Sequence, residues 1–412
     1  MLARVGRSSC AVVLALTGVV AACTRATAPP SASPRPGWKL RPLEAPTSAG
    51  SGEPNLASAA DGRVYLSWIE TQSDGVSTLR YASRRPGQAW SAPASVAHGF
   101  GWFVNWADFP AFLPLPDGSL VAHWLTKGSG HGYDIRVSIS RDAGASWSSP
   151  VVPHRDGTPS EHGFVSFAPW PTGGAAVVWL DGRGTVDPPG TDAAVRLFQA
   201  TLQPDGGVGP ETTLDPRVCD CCQTAVVATD RGLLVVYRDR SPTEVRDIAA
   251  VRYEQGRWSA PVSLFDDGWE MNGCPVNGPA VAAAGSRVAV AWHTAARDKP
   301  RVKVIFSADA GHTFGAPTDV DDGRPIGRVD VALLPDGDAL VSWIEQSAAG
   351  PELRVRQVRQ AGVPRPSLVV TDAASTRSSG FPRLEVGGGE PVLVWRDARE
   401  PGRVATAFLV RE

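Results

Sequence analysis

The hydrophobic pattern of the chain is dominated by one short apolar segment that carries an aromatic residue and occurs seven times. The first copy reads RVYLSWIE and the last PVLVWRD, with polar, turn-forming stretches between copies. The aromatic positions, 51 to 58 residues apart, are Trp68, Trp124, Trp179, Tyr237, Trp292, Trp343 and Trp395. A period of roughly 50 residues built from short strands is typical of a β-propeller, so we predict an all-β fold with one blade per copy.

Each repeat divides into four strands. The second copy contains an inner strand, a turn at Asp117-Gly118, the aromatic strand, a third strand, a tight turn and an outer strand. The last copy ends after three strands, whereas Gly37–Leu43 (GWKLRPL) precedes the first copy and is similar to the outer strands. We therefore predict a single domain over residues 37–412 with seven four-stranded blades. The N-terminal strand completes the last blade and removes an exposed edge.

The first 22 residues have the pattern of a bacterial lipoprotein signal peptide. Arg4 and Arg7 precede an apolar run at residues 11–20, which is too short to span a bilayer, and small residues follow before Cys23. This segment resembles a lipobox, in which Cys23 becomes the lipidated first residue; a plain signal peptide is the alternative. Residues 23–36 are typical of a flexible tether. We expect an exported protein that acyl chains anchor in the bacterial cell envelope.

Composition favours a strand-rich fold, and the net charge gives no support for nucleic acid binding. The chain has 43 Gly, 36 Pro and 14 Trp but only two Met, a balance that favours turns and strands over helices. Its formal net charge is -2, so there is no electrostatic reason to expect a nucleic acid partner.

The turn between the third and fourth strands carries a recurring motif. The segment SRDAGASW (Ser140–Trp147) matches S-x-D-x-G-x-[ST]-W, and SADAGHTF (Ser307–Phe314) matches with Phe in place of Trp. We expect the Asp142 and Asp309 carboxylates to accept N–H bonds of their own turns, which is a structural role. With these motifs in a strong repeat, essentially all of the mature chain resembles the BNR/Asp-box, or sialidase-like, propeller superfamily.

The resemblance implies a fold more strongly than an activity. Sialidases have six blades, which makes six the alternative to seven here. They place an arginine in an early F-R-I-P-like motif, use two further arginines to bind the substrate carboxylate, and add a tyrosine nucleophile and an aspartate acid/base. The corresponding segment here, Gly52–Ser58, has no arginine, which argues against sialic acid hydrolysis. Tyr237 aligns with six tryptophans, so we expect a core aromatic rather than a nucleophile.

Four cysteines lie just before the inner strands of the fourth and fifth blades. If the Asp-box turns lie on one face, these segments lie on the opposite, loop-rich face, where propellers usually bind ligands. Export favours two disulfides, for which three pairings exist, among them Cys221 with Cys222 or a bridge to Cys274. No cofactor is firmly implied, but a thiolate site for zinc or copper with a histidine such as His162 is the alternative. The four residues are Cys219, Cys221, Cys222 and Cys274.

Arginines and carboxylates also cluster on the predicted loop-rich face. One interpretation is a ring of guanidinium groups that binds a carboxylate, a sulfate or a sugar acid, with an Asp or Glu161 as proton donor. The other is a set of Arg–Asp pairs that connect neighbouring blades. The candidate catalytic residues are Arg238, Asp239, Arg246, Asp247 and Glu161.

The connection at residues 98–109 is rich in aromatic residues. In one interpretation, these rings are exposed and stack on sugar rings. In the other, the loop folds over the central channel of the propeller and buries the rings as a plug. The candidate ligand-binding residues in this and neighbouring loops are Trp102, Trp106, Asp108, His162, Arg183 and Asn277.

Three hypotheses about function follow. The first is a lipid-anchored propeller that binds a glycan or other small anionic ligand on its loop-rich face. The second is a glycoside hydrolase of the sialidase-like class that uses the arginines and carboxylates of this face. The third is a metal-handling or protein-interaction platform built on the four cysteines.

Overall fold

The computed structural model describes residues 37–186, 193–360, 362, 364–374, 377–399 and 402–412. The predicted signal peptide at 1–22, the tether at 23–36 and the lipidation site at Cys23 lie outside the described residues. Apart from three short 3-10 helices at Gly182–Thr185, Ala296–Asp298 and Arg377–Ser379, the regular structure in the described chain is β-strand. No helix in the described ranges is long and apolar enough to cross a membrane.

The strands form seven separate antiparallel sheets in the described part of the chain, as predicted. Blade 1 contains β2 (Ser51–Ser58), β3 (Val64–Thr71), β4 (Ser77–Arg84) and β5 (Ala94–Gly99). Blade 2 contains β6 (Phe112–Pro114), β7 (Leu120–Lys127) and β8 (Tyr133–Ser140). Blade 3 contains β9 (His162–Pro169), β10 (Ala175–Asp181), β11 (Arg196–Leu202) and β12 (Thr212–Asp215). Blade 4 contains β13 (Ala225–Thr229), β14 (Gly232–Arg238), β15 (Ile248–Glu254), β16 (Arg257–Trp258) and β17 (Val262–Phe265).

The remaining blades follow the same order. Blade 5 contains β18 (Ala280–Ala284), β19 (Arg287–Thr294), β20 (Arg301–Ser307) and β21 (Thr318–Asp319). Blade 6 contains β22 (Pro325–Leu333), β23 (Ala339–Gln346), β24 (Pro351–Val358) and β25 (Leu368–Asp372). Blade 7 contains β26 (Arg383–Gly387), β27 (Glu390–Asp397), β28 (Arg403–Arg411) and β1 (Trp38–Leu43).

The aromatic strands form the core because both of their faces are covered by neighbouring blades. In β3, all residues from Val64 to Ile69 are buried. The buried indole N–H groups need hydrogen-bond partners, and an acidic residue provides one. Trp343 Nε1, for example, donates to Glu345 at 2.6 Å, two residues further along the strand. Tyr237 occupies the same core position and its hydroxyl donates to Asp215 at 2.5 Å, which is consistent with a core aromatic.

The ends of the chain close the ring, as predicted. Strand β1 pairs with β28 in antiparallel register from Trp38 opposite Arg411 to Leu43 opposite Thr406. Trp38 is buried in the cluster between blades 6 and 7, and its indole N–H donates to Gln357 at 2.9 Å. The N-terminal strand therefore supplies the outer strand of blade 7 and attaches it to blade 6.

Blade 2 departs from the prediction of a full fourth strand. In the described residues, its outer segment makes a single bridge between Val137 and Val151 instead of a continuous strand. Pro150 and Pro153 flank this bridge, and proline has no N–H to donate to a strand ladder. The proline spacing explains why the outer segment stays irregular.

Two turns on one face of the propeller each contain an aspartate that accepts hydrogen bonds from its own turn. Asp142 accepts hydrogen bonds from the Ser140 hydroxyl at 2.8 Å and the Ser146 N–H at 2.9 Å, and the Ser146 hydroxyl lowers the pKa of Asp142 to about 2. Asp309 is bonded in the same way by Ser307 and Thr313. We call the face with these turns the Asp-box face. The opposite face, with the connections between second and third strands and between blades, is the loop-rich face.

Replacement of Trp38 tests ring closure. We expect Trp38→Ala to lower the free energy of unfolding by about 3–5 kcal/mol, because it removes a buried ring and its hydrogen bond. Urea unfolding followed by tryptophan fluorescence measures this loss. Lys39 is the matched control on the same strand, since 56% of its side chain is exposed; Lys39→Ala should stay within about 0.5 kcal/mol. Equal stabilities of the two variants would contradict the closing role.

Candidate functional site

One connection lies across the propeller axis on the loop-rich face. It is residues 100–109 between blades 1 and 2, and we call it the crossing loop. The Ala107 carbonyl accepts a hydrogen bond from Gln223 of blade 4 at 2.7 Å. Trp106 stacks on Phe381, directly before the inner strand of blade 7, with ring centroids 5.8 Å apart. The crossing loop thus connects distant blades and closes the centre of the loop-rich face.

The inner strands surround a cavity of about 510 Å³ beneath the crossing loop. Its lining extends from Phe109, at the end of the loop, to Ala60 in a turn of the Asp-box face. Asp330 and Glu385 are acidic residues of this lining. Burial raises the pKa of both carboxyls, to about 7 in Glu385. The cavity therefore lies on the axis but is separated from the loop-rich face by the crossing loop.

The aromatic residues of the crossing loop differ in exposure. Trp102 is buried and stacks on Trp124, with ring centroids 5.4 Å apart. Phe100 is 71% exposed. Trp106 is partly exposed, and the Arg328 guanidinium carbon lies 4.8 Å from its ring centroid. Part of the loop therefore packs inward as a plug, while Trp106 stays partly exposed.

Asp108 anchors the crossing loop to blade 3. One carboxyl oxygen accepts the Phe164 N–H at 2.8 Å, and the other is buried without a hydrogen-bond partner among the described residues. This second oxygen lies where a side chain at position 163 would be, 2.1 Å from an ideal Cβ on Gly163. Burial raises the pKa of Asp108 to about 8. The carboxyl group faces protein atoms, so a ligand on the surface would not contact it here.

Arg238 and Asp247 bind backbone groups. Arg238 is almost fully buried and donates to the carbonyl oxygens of Asn277 at 2.8 Å and His293 at 2.6 Å, which connects blade 4 to blade 5. Asp247 accepts two backbone N–H groups from Gly268 and its neighbour, at 2.9 and 3.1 Å. Arg238 thus connects blades 4 and 5 through carbonyl oxygens, whereas the structural interpretation expected Arg–Asp pairs between blades.

Arg246 belongs to a chain of ion pairs at the surface of blade 4. Its guanidinium contacts Asp220 at 3.3 Å and Glu244 at 2.7 Å, and Glu244 also pairs with Arg240 at 2.8 Å. Asp239, beside this chain, accepts the Arg240 N–H at 2.7 Å, and burial raises the pKa of Asp239 to about 6. The Arg246 charge is thus already paired, but Asp220 and Glu244 remain partly exposed.

Glu161 is the exposed acid of the predicted catalytic set. It lies immediately before the inner strand of blade 3, where its backbone bridges to Tyr133 of blade 2. Partial burial of the carboxyl and the charge of nearby Asp220 raise the pKa of Glu161. The loop-rich face therefore presents two neighbouring carboxyl groups, Glu161 and Asp220, and the pKa of Glu161 is raised.

The four cysteines form two disulfides. Cys219 pairs with Cys222, and Cys221 pairs with Cys274 across blades 4 and 5. The expected bridge to Cys274 is present, whereas the Cys221–Cys222 pairing is not. All four sulfurs are used in bonds, as the favoured disulfide interpretation predicts.

A histidine pair lies on the loop-rich face between blades 2 and 3. The rings of His154 and His162 stack with centroids 3.7 Å apart and planes inclined by 3°. Asp156 contacts both rings, at 3.4 and 3.1 Å, and Asp134 contacts them at 3.7 and 3.9 Å from the other end. Burial and the adjacent His162 lower the pKa of His154 to about 4. One ring nitrogen of each histidine and a carboxylate oxygen of Asp134 all lie within 4.8 Å of one another.

Only His162 of this group is among the sequence-predicted residues. The signal that identifies His154 and Asp156 is His154-Arg155-Asp156 followed by His162 within one connection. His162 is fully buried, so the cluster shields it from a ligand.

Two further predicted ligand residues have structural partners. Arg183 binds the Asp181 carboxylate through Nε at 2.7 Å and Glu211 at 2.8 Å. Asn277 accepts the Arg328 N–H at 2.7 Å, which connects blades 5 and 6. Arg183 therefore connects segments within blade 3, and Asn277 connects neighbouring blades.

Several solved structures of other proteins align with most of this chain at low sequence identity. A protein of unknown function from Dyadobacter fermentans aligns at 16% identity and a TM-score of 0.52, covering 92% of this chain and all of that one. The α-L-arabinanase of Penicillium chrysogenum aligns at 12% identity and a TM-score of 0.50, covering 90% and 98%. The leech intramolecular trans-sialidase aligns at 9% identity and a TM-score of 0.48, covering 90% of each chain.

The described residues form a seven-bladed β-propeller. No protein-family profile matches its sequence, and a search of curated proteins found no significant match. The expectation of seven blades therefore holds, and the alternative of six does not.

Replacement of Asp108 tests the electrostatics beneath the crossing loop. The folded protein keeps the Asp108 proton up to about pH 8, whereas the unfolded chain loses it near pH 4. The stability that this carboxyl contributes is therefore present at acid pH and is lost as the pH rises from about 4 to 8. Glu161 and Tyr133 are the titratable neighbours.

We expect the unfolding free energy of Asp108→Asn, relative to wild type, to rise across this window by at most about 1.4 kcal/mol per pH unit. Urea unfolding at several pH values measures it, with the exposed Glu44→Gln as the control. A difference that does not change with pH would contradict the assignment.

Proposed function

We propose that the protein binds a glycan or another small anionic ligand on its loop-rich face. Trp106 carries this proposal, because it lies near the axis, keeps part of its ring exposed and packs on Phe381. The guanidinium carbon of exposed Arg377 lies 6.0 Å from the ring centroid. An aromatic ring stacks on a sugar ring, and a neighbouring guanidinium binds a carboxylate or sulfate group. The pair therefore suits an acidic sugar.

We propose further that the protein is exported and anchored in the bacterial cell envelope through lipidated Cys23. The pattern of the first 23 residues and the tether-like composition up to residue 36 support this placement. A tether would hold the propeller near the membrane while its loop-rich face meets extracellular glycans. The net charge of -2 supports a partner other than nucleic acid.

Binding measurements with variants of Trp106 test the proposal. Isothermal titration with a glycan panel that includes 3′-sialyllactose and arabinobiose should identify a bound sugar. We expect Trp106→Ala to weaken its binding at least about tenfold, which corresponds to about 1.4 kcal/mol of lost stacking. We expect Arg377→Gln to weaken acidic glycans selectively.

Trp258 is the matched control, since it lies towards the Asp-box face in the short strand β16, where it pairs with Tyr253. Trp258→Ala should bind as wild type does. Unchanged affinity of Trp106→Ala, or a wild type that binds no member of the panel, would count against the proposal.

A second candidate function is glycoside hydrolysis. The observation that favours it is the raised pKa of Glu161 beside Asp220. Most glycosidases use a carboxylic acid that is protonated at the start of the reaction and donates its proton to the leaving-group oxygen. A second carboxylate acts as the base or the nucleophile. Glu161 has a raised pKa, and Asp220 is its acidic neighbour. In this role Glu161 would protonate the leaving oxygen, and Asp220 would act as the second carboxylate.

Turnover of chromogenic glycosides tests this candidate. We expect Glu161→Gln to abolish turnover but leave glycan affinity within about twofold, because the amide cannot donate the proton but keeps the shape of the side chain. The exposed Glu44→Gln is the control and should keep full activity. No turnover by the wild type, or full turnover by Glu161→Gln, would exclude Glu161 as the catalytic acid.

A further inference from the structure

The two disulfides form one compact cluster of sulfur atoms. Cys219 Sγ lies 4.0 Å from Cys221 Sγ, although these two residues belong to different bridges. The sulfur atoms of Cys219, Cys221 and Cys222 all lie within 4.8 Å of one another. A thiolate at one of these positions would therefore be adjacent to the other bridge, the arrangement that exchange between disulfides needs.

The two bridges differ in their access to solvent. Cys274 is exposed and Cys221 is partly buried, so a thiol in solution can approach their bond. Cys219 and Cys222 are 1% and 2% exposed. An external thiol can therefore open the outer bridge, Cys221–Cys274, but reaches the inner bridge only through the protein's own sulfurs.

The loop around the inner bridge is held in place by the backbone. The Cys219 N–H donates to the Arg238 carbonyl at 3.0 Å, and the Val218–Asp239 bridge pairs the same segment with the end of β14. Arg246 contacts Asp220, the residue between Cys219 and Cys221. These contacts do not depend on the outer bridge, so the cysteine segment can stay in position after that bridge opens.

We propose that the four-cysteine cluster is a thiol–disulfide exchange site for an external alkyl thiol. The thiolate attacks Cys274 Sγ, which forms a mixed disulfide and releases Cys221 as a thiolate. Cys221 then attacks Cys219 Sγ; the Cys219–Cys221 bond forms, the Cys219–Cys222 bond breaks and Cys222 leaves as the thiolate.

A second external thiol completes the reaction. It attacks the external sulfur of the mixed disulfide, forms the oxidised thiol dimer and releases the Cys274 thiolate. Two external thiols are oxidised, one protein disulfide is reduced, and their two protons pass to Cys222 and Cys274. The relay transfers reducing equivalents from the exposed cysteine to a buried one.

Single-cysteine variants test the internal transfer. Cys274→Ser leaves Cys221 without its partner, so the relay predicts a free thiol shared between Cys221 and Cys222. Acid quenching, alkylation and fragment mass spectrometry of the folded protein locate the thiol. Alkylation of both residues, each above about a tenth of the total, is the expected result. A thiol found on Cys221 alone would overturn the proposal.

Cys222→Ser is the matched variant. It leaves Cys219 unpaired, and the same contact should transfer the free thiol outward to exposed Cys274. A thiol confined to Cys219 would contradict the relay. Thermal unfolding and near-UV circular dichroism select conditions under which both variants are folded.

The wild-type protein tests the reaction with external thiols. Reduced glutathione and a short cysteine-containing peptide are the two probes, and each should form its mixed disulfide on Cys274 in the folded protein. The new protein thiol should appear on Cys222. Adducts from only one probe would identify small-molecule or peptide thiols as the source. Reaction only at urea concentrations that unfold the protein would overturn the proposal.

Discussion

The structure depends on the antiparallel pairing between the two ends of the chain. A propeller blade has apolar residues on both faces, so it is stable only between two neighbours, and an open ring leaves two faces uncovered. Strand β1 closes the ring by pairing with β28, while its Trp38 reaches the side of blade 6. Because this pairing joins the first and last residues of the domain, every blade acquires two neighbours.

Closure brings the connections of seven blades around one axis, and only one of the two faces stays regular. On the Asp-box face, the carboxylates of Asp142 and Asp309 accept N–H groups of their own turns, so these oxygens are already hydrogen-bonded. On the loop-rich face, the crossing loop reaches from blade 1 to Phe381 and carries Trp106, while the Cys221–Cys274 disulfide joins blades 4 and 5. The ligand proposal and the exchange proposal both rest on this irregular face.

The blade number and the closing strand were predictable because they depend on repeated local patterns and on the chain ends. The roles of charged residues were not, since a sequence shows a charge but not its partner. Arg238 could bind a ligand or a backbone, and only the positions of the Asn277 and His293 carbonyls decide between them. The cysteine pairing likewise depends on which sulfurs meet. His154 escaped prediction because its importance comes from stacking on His162.

We place the proposed ligand site on the loop-rich face rather than in the axial cavity. Hydrogen–deuterium exchange of the propeller with and without its best-binding glycan distinguishes the two locations. We expect slower exchange at residues 100–109 and around Glu161 and Arg377. Slower exchange confined to the inner strands and turns that line the cavity, such as residues 57–60 and 112–116, would contradict it.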